Sequence, residues 1–124
     1  MDEIKRCLDT YALVEIKLGN PKFEYLFSSS FVITDITLAE FYYVLLRDED
    51  ELTAEYWVKK FEHYAVSVNK EILMSAMKFR HKNRQLNISF FDAVGYIFSV
   101  KNGYDFVTGD KEFEKFKNVE FKKK

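Results

Sequence analysis

The hydrophobic positions of this 124-residue chain change period several times, and each change marks an element. Short apolar runs at Ile4–Leu8, Phe31–Thr34 and Asp105–Thr108 read as strands. A weaker run at Ala65–Val68 and an edge segment at Val119–Phe121 complete the set. Between these runs the spacing shifts to 3, 4 and 7. Leu38, Phe41, Tyr42, Leu45 and Leu46 predict a helix over Ala39–Arg47. Leu52, Tyr56, Trp57, Phe61 and Tyr64 predict another over Glu51–Tyr64, and Ile72, Leu73, Ala76, Met77 and Phe79 a third over Ile72–Lys82. Tyr11–Leu18 makes a shorter helix, and Phe23–Phe27 a turn or two after Pro21. Phe90–Val100 is apolar on nearly every side, which marks it as the most buried helix. Strands alternating with helices imply a parallel sheet covered on both faces. The expected fold class is α/β, a three-layer α/β/α sandwich with a central parallel sheet of four or five strands.

Composition narrows the picture by exclusion. A hydrophobic share of 48% beside a charged share of 31% fits neither a disordered nor a membrane-spanning chain. The longest uncharged run, Tyr25–Thr34, is too short to cross a bilayer. The expectation is a single cytoplasmic domain over residues 1–124. Nineteen basic against twenty acidic side chains leave a net charge of −1, which excludes the global electrostatics of a nucleic-acid coat protein. Any nucleic-acid contact must then come from a local patch. Cys7 has no cysteine partner for a disulfide or a thiolate zinc site and reads as a buried filler. His63 and His81 are too few and too separated for a histidine metal site.

The chemistry lies in where four acids fall. Asp9 ends the first strand, Glu40 sits inside the helix after the second, Asp92 opens the apolar helix, and Asp110 follows the fourth strand. In a parallel sheet all strand-to-helix junctions lie at one edge, where open α/β proteins bind ligands. Acids from distant stretches can therefore meet in one pocket. Each acid also suits a helix start: Thr37 with Glu40 and Ser89 with Asp92 fit the hydroxyl-x-x-acid cap pattern, and Asp9 and Asp110 suit N-caps. Capping explains each acid singly but not the placement of all four. Two carboxylates about 5 Å apart repel by roughly 3 kcal/mol at an effective dielectric near 20. Four in one cleft need protons or a hard divalent cation, Mg²⁺ or Mn²⁺, and such ions serve phosphate chemistry.

The ordered set Leu8-Asp9-Thr10, Thr37-Leu38-Ala39-Glu40-Phe41, Phe91-Asp92-Ala93 and Val107-Thr108-Gly109-Asp110-Lys111-Glu112-Phe113 resembles the PIN-domain family, and within it the VapC-type toxins. The resemblance spans essentially the whole chain. It implies a metal-dependent endoribonuclease in which Asp9, Glu40, Asp92 and Asp110 hold one or two Mg²⁺ or Mn²⁺ ions. Activated water then cuts RNA to a 5′-phosphate and a 3′-hydroxyl. It further implies that Thr10 and Thr108 orient carboxylates or water, that the protein is a homodimer, and that a VapB-type antitoxin silences it. Position 11 departs from the family, being Tyr where many members carry a small polar residue. Glu112 is peripheral.

Lys78, Arg80, Lys82 and Arg84, with His81 among them, form the densest basic segment. It reads either as a track for RNA phosphates or as a solvated helix end. Lys122–Lys124 reads as a frayed end. Tyr42, Tyr43, Tyr56, Trp57, Phe61 and Tyr64 suit core, dimer seam or antitoxin groove. Other readings are a PIN nuclease for RNA processing or structured DNA without an antitoxin, and an idle PIN-like module that binds RNA or protein. A phosphatase or receiver domain fits less well, because Tyr11 breaks the Asp-x-Asp arrangement.

Overall fold

A computed structural model describes residues 4–124. Its elements run β1 (Arg6–Leu8), α1 (Thr10–Lys17), α2 (Glu24–Phe27), β2 (Phe31–Thr34), α3 (Asp35–Asp48) and α4 (Glu51–Phe61). They continue through β3 (Ala65–Val66), α5 (Lys70–Lys82), α6 (Phe90–Asn102), β4 (Asp105–Thr108) and β5 (Val119–Phe121). The five strands pair in parallel in the order β3-β2-β1-β4-β5. The expected α/β class and parallel sheet are therefore present, with five strands.

The pleat explains the layers. Successive strand residues point to opposite faces, so Leu8, Phe31, Ile33 and Val107 enter one apolar cluster. Cys7, Val32 and Phe106 enter the other. The first cluster is covered by residues of α1 to α4, including Leu13, Leu26, Phe41 and Phe61. The second is covered by α5 and α6 through Ile72, Ala76, Val94 and Tyr96. β1 is central and its Cys7 and Leu8 are fully buried, consistent with a strand flanked on both sides.

Helix α6 is the most enclosed, burying Ala93, Val94, Gly95, Tyr96, Phe98 and Ser99. A Cβ on Gly95 would stand 2.6 Å from the Phe106 ring, so only glycine lets α6 lie this close to β4.

Some boundaries differ from the sequence expectation. β1 begins at Arg6 and leaves Ile4 exposed, because β4 pairs with it only from Arg6 onward. β3 stops at Val66, and α4 ends at Phe61 with a single 3₁₀ turn over Glu62–Tyr64. The aromatic stripe divides. Phe61 is core, Tyr42, Trp57 and Tyr64 pack against it, and Tyr43 and Tyr56 remain exposed.

Candidate active site

Each of the four acids is delivered by a local structural rule. Asp9 follows β1, where its backbone N–H donates to the Val107 carbonyl at 3.1 Å and ties it to β4. Its Oδ1 accepts the Ala12 N–H at 2.8 Å, capping α1. Asp92 occupies the first turn of α6, whose cap is Ser89 with its Oγ accepting the Asp92 N–H at 3.1 Å. Asp110 caps a 3₁₀ turn over Lys111–Phe113 by accepting the Glu112 N–H, while its own N–H donates to Thr108 Oγ1.

Glu40 departs from the capping expectation. The cap of α3 is Thr34, the last residue of β2, whose Oγ1 accepts the Thr37 N–H at 3.0 Å. The helix therefore starts with no intervening loop. Glu40 stands more than a turn inside α3, where capping gives no reason for an acid. Thr10 Oγ1 donates to its Oε1 at 2.5 Å.

Asp9, Thr10, Tyr11, Glu40, Asp92, Gly109, Asp110 and Lys123 line one cleft of about 370 Å³. Recesses of 430 and 520 Å³ lie elsewhere, but none of the four acids lines either. The caps and the cleft coexist, because Asp9 and Asp110 each commit one carboxylate oxygen to a helix start.

The cleft is electrostatically strained. Burial, then repulsion from Asp9, Glu40 and Asp110, holds the Asp92 carboxyl well above the ordinary carboxylate range. Burial likewise raises Asp9, with Glu40 and Asp110 adding to the shift, against the opposing hydrogen bonds of Thr108 and Ala12. Burial raises Glu40, and the Thr10 hydroxyl partly offsets it. Thr10 thus bonds the Glu40 carboxylate, while the Thr108 hydroxyl accepts the Asp110 N–H and stands near enough to Asp9 to oppose its shift.

This donor set consists of oxygens only, partly desolvated and mutually repelling, and it fits a hard divalent cation. Among the described residues no three acidic, histidine or cysteine side chains stand close enough to hold an ion as they are. The fit lies in the chemistry of the donors rather than in a preformed cage.

In comparison with known families, the PIN domain model matches residues 6–119. The chain belongs to the PIN-domain family. Among solved structures, this PIN domain is similar to the VapBC2 complex of Rickettsia felis bound to a promoter DNA fragment. The identity is 16% and the TM-score 0.75, over 96% of this chain and 98% of that one. It is similar also to DNA-bound VapBC of Salmonella typhimurium, at 19% identity and TM-score 0.75 over 96% and 97%. Mycobacterium tuberculosis VapC20, a toxin that cleaves the sarcin-ricin loop, matches at 16% identity and TM-score 0.74, over 92% and 98%. No curated protein matches in sequence.

The basic segment does not enter this cleft. Arg80 Nε donates to the Ile88 carbonyl at 2.9 Å and Arg84 Nη1 to the His81 carbonyl at 2.7 Å. Lys78 and Lys82 are exposed on α5. The lysine that does line the PIN-domain cleft is Lys123, from the segment read as a frayed end. That expectation fails because the Lys122 N–H donates to the Thr108 carbonyl beside β5, and the Lys124 N–H donates to the Tyr11 hydroxyl. The only signal in the sequence was the adjacency of these lysines to the last strand. Among the described residues no helix is long and apolar enough to cross a membrane.

Proposed function

We propose that this PIN domain is a metal-dependent endoribonuclease of the VapC toxin type, with residues 1–124 acting as one nuclease domain on cytoplasmic RNA. The observation that carries the reading is the convergence of Asp9, Glu40, Asp92 and Asp110, from four separate stretches of chain, on one partly desolvated cleft. Membership of the PIN family and the likeness to VapC-containing structures support it.

In this reading the four carboxylates hold one or two Mg²⁺ or Mn²⁺ ions. A bound ion supplies Lewis-acid activation of water and neutralises charge at the phosphate. The chain's own part is to hold the donors in place. Thr10 fixes the rotamer of Glu40, the Ala12 N–H holds Asp9, Thr108 anchors the backbone of Asp110, and the caps at Ser89 and Asp110 fix the backbone from which the donors project. Lys78 and Lys82 serve as outlying electrostatic contacts to RNA, whereas Arg80 and Arg84 brace the end of α5. A homodimer bound by a VapB-type antitoxin is the matching assembly. Its support is the VapBC composition of the similar structures and the exposed Tyr43, Leu52 and Tyr56 of α3 and α4.

The test is cleavage of a mixed RNA substrate with Mg²⁺ or Mn²⁺, using EDTA and Asp92→Asn as controls. Both controls abolish cleavage if the reading holds. Equal cleavage by Asp92→Asn overturns it, and cleavage of structured DNA alone redirects it to a DNA nuclease.

A further inference from the structure

Three consecutive lysines, Lys122, Lys123 and Lys124, lie against the protein in three different ways. The Lys122 N–H donates to the Thr108 carbonyl at 2.8 Å, extending the β4–β5 ladder by one bond, and its ammonium stands 5.0 Å from the centre of the Tyr25 ring. The Lys124 N–H donates to the Tyr11 hydroxyl at 2.8 Å, and its ammonium lies 4.0 Å from the buried Glu15 carboxylate. Between these anchors Lys123 lines the acidic cleft. The segment is held on both sides of the one lysine that faces the four acids.

The lock depends on two residues chosen for shape. A Cβ on Gly109 would stand 2.4 Å from the nearest atom of the Tyr11 ring, too close for any other residue. Glycine at the residue after Thr108 therefore lets that ring lie over the loop carrying Asp110, with its hydroxyl reaching Lys124. Tyr11, the departure from the family pattern, acquires a function from this contact.

Lys123 is not a neutraliser of the acids. It makes no ion pair within 4.0 Å among the described residues, although four carboxylates share its cleft and Lys124 approaches Glu15 nearby. Its side chain is exposed at the mouth. A phosphodiester entering an acidic cleft meets repulsion before it meets any cation, and an unpaired ammonium at the rim lowers that barrier. Lysine suits the task, being a compact charge on a flexible stem that can follow the phosphate.

We infer that Lys123 is the side chain that receives the substrate phosphate at the mouth of the cleft, and that Tyr11 is its positioning residue. The inference rests on the nuclease reading above. The experiment uses the full chain with Mn²⁺ and a labelled single-stranded RNA oligonucleotide of mixed sequence. Cleavage is followed in the active protein and binding in the non-cleaving Asp92→Asn background.

Lys123→Ala lowers kcat/KM about tenfold, the expected worth of one charge-assisted contact, with the loss in KM. It also reduces the slope of log binding constant against log salt by roughly 0.7, one single-strand phosphate contact. Lys123→Arg restores both. Tyr11→Phe keeps the ring against Gly109 but loses the hydroxyl, shifts KM in the same direction by a smaller factor, and adds little to Lys123→Ala. Wild-type affinity and salt slope in Lys123→Ala overturn the proposal. Faster cleavage by that variant also overturns it, by making the segment a block. A wild-type chain that binds the oligonucleotide without cutting it overturns the nuclease reading, while the binding comparison still supports or refutes the phosphate contact.

Discussion

The acidic cleft and the basic elbow at the end of α5 are opposite in more than charge. Asp9, Glu40, Asp92 and Asp110 are scattered through the sequence, yet line one cleft. Lys78, Arg80, Lys82 and Arg84 are neighbours in sequence but divide in space: Arg80 and Arg84 line a recess of about 290 Å³ with His81, and Lys78 and Lys82 stand outside it. A parallel sheet gathers its strand-to-helix junctions at one edge. A helix does the reverse to residues two apart, which it turns by about 200°. Arg80 is therefore aimed at the Ile88 carbonyl, while Lys78 and Lys82, four apart, share a different face that is exposed. Density of charge along the chain is a poor guide to density of charge in space.

The largest effect that probes this contrast is expected at Asp92. Replacing it with Asn lowers cleavage by at least about a hundredfold, the scale on which metal-site groups act. In the metal-free protein the same change is stabilising. The folded carboxyl is held above its unfolded range. Its favourable contribution is thus fully present below about pH 4 and is lost as pH rises toward the folded value. Thermal melts in EDTA should show Asp92→Asn above wild type at pH 8, with the gap closing toward pH 4. Added Mn²⁺ should raise the wild-type midpoint and leave the variant nearly unmoved. If wild type is the more stable at pH 8 without metal, the four acids do not share a strained site.

Arg80 comes next. Arg80→Ala removes the donor from the buried Ile88 carbonyl and costs about 1–3 kcal/mol in denaturant unfolding, with no change in the salt slope of RNA binding. A slope reduced by one contact would make the elbow an RNA track and erase the contrast. The smallest effect belongs to the exposed pair. Lys78→Gln with Lys82→Gln should weaken RNA binding about twofold to threefold at low salt and not at all near 0.5 M, since exposed charges beyond a Debye length are screened. A larger, salt-resistant loss would place both lysines at the substrate.

The sequence shows some of this and hides the rest for identifiable reasons. Strand cores such as Phe31–Thr34 and Asp105–Thr108 and the periodic helices were legible because apolar period follows backbone geometry. The four acids were legible because a junction residue needs only its neighbours to be recognised. The start of α3 differs from the pattern, since both Thr34 and Thr37 carry a capping hydroxyl and nothing in the pattern says that the last strand residue is itself the helix cap. The bonds of Arg80 to Ile88 and of Arg84 to His81 were hidden, because carbonyl partners leave no trace in the pattern of residue types. The contact of Tyr11 with Lys124, and the space that Gly109 leaves for it, joins the two ends of the chain. No local window contains it.

The direct passage from Thr34 to Asp35 has a consequence for how this fold can vary. Most strand-to-helix connections hold spare residues that absorb a change in length, but here the final strand residue is itself the helix cap. One residue inserted after Thr34 would leave the strand fixed and turn every later helical position by about 100°. Glu40 would then swing off the cleft into the direction now taken by the fully buried Phe41, and Ala39 would stand in its place. The junction is thus a phase setting for α3: Glu40 is kept at the cleft only while the count from Thr34 stays at six.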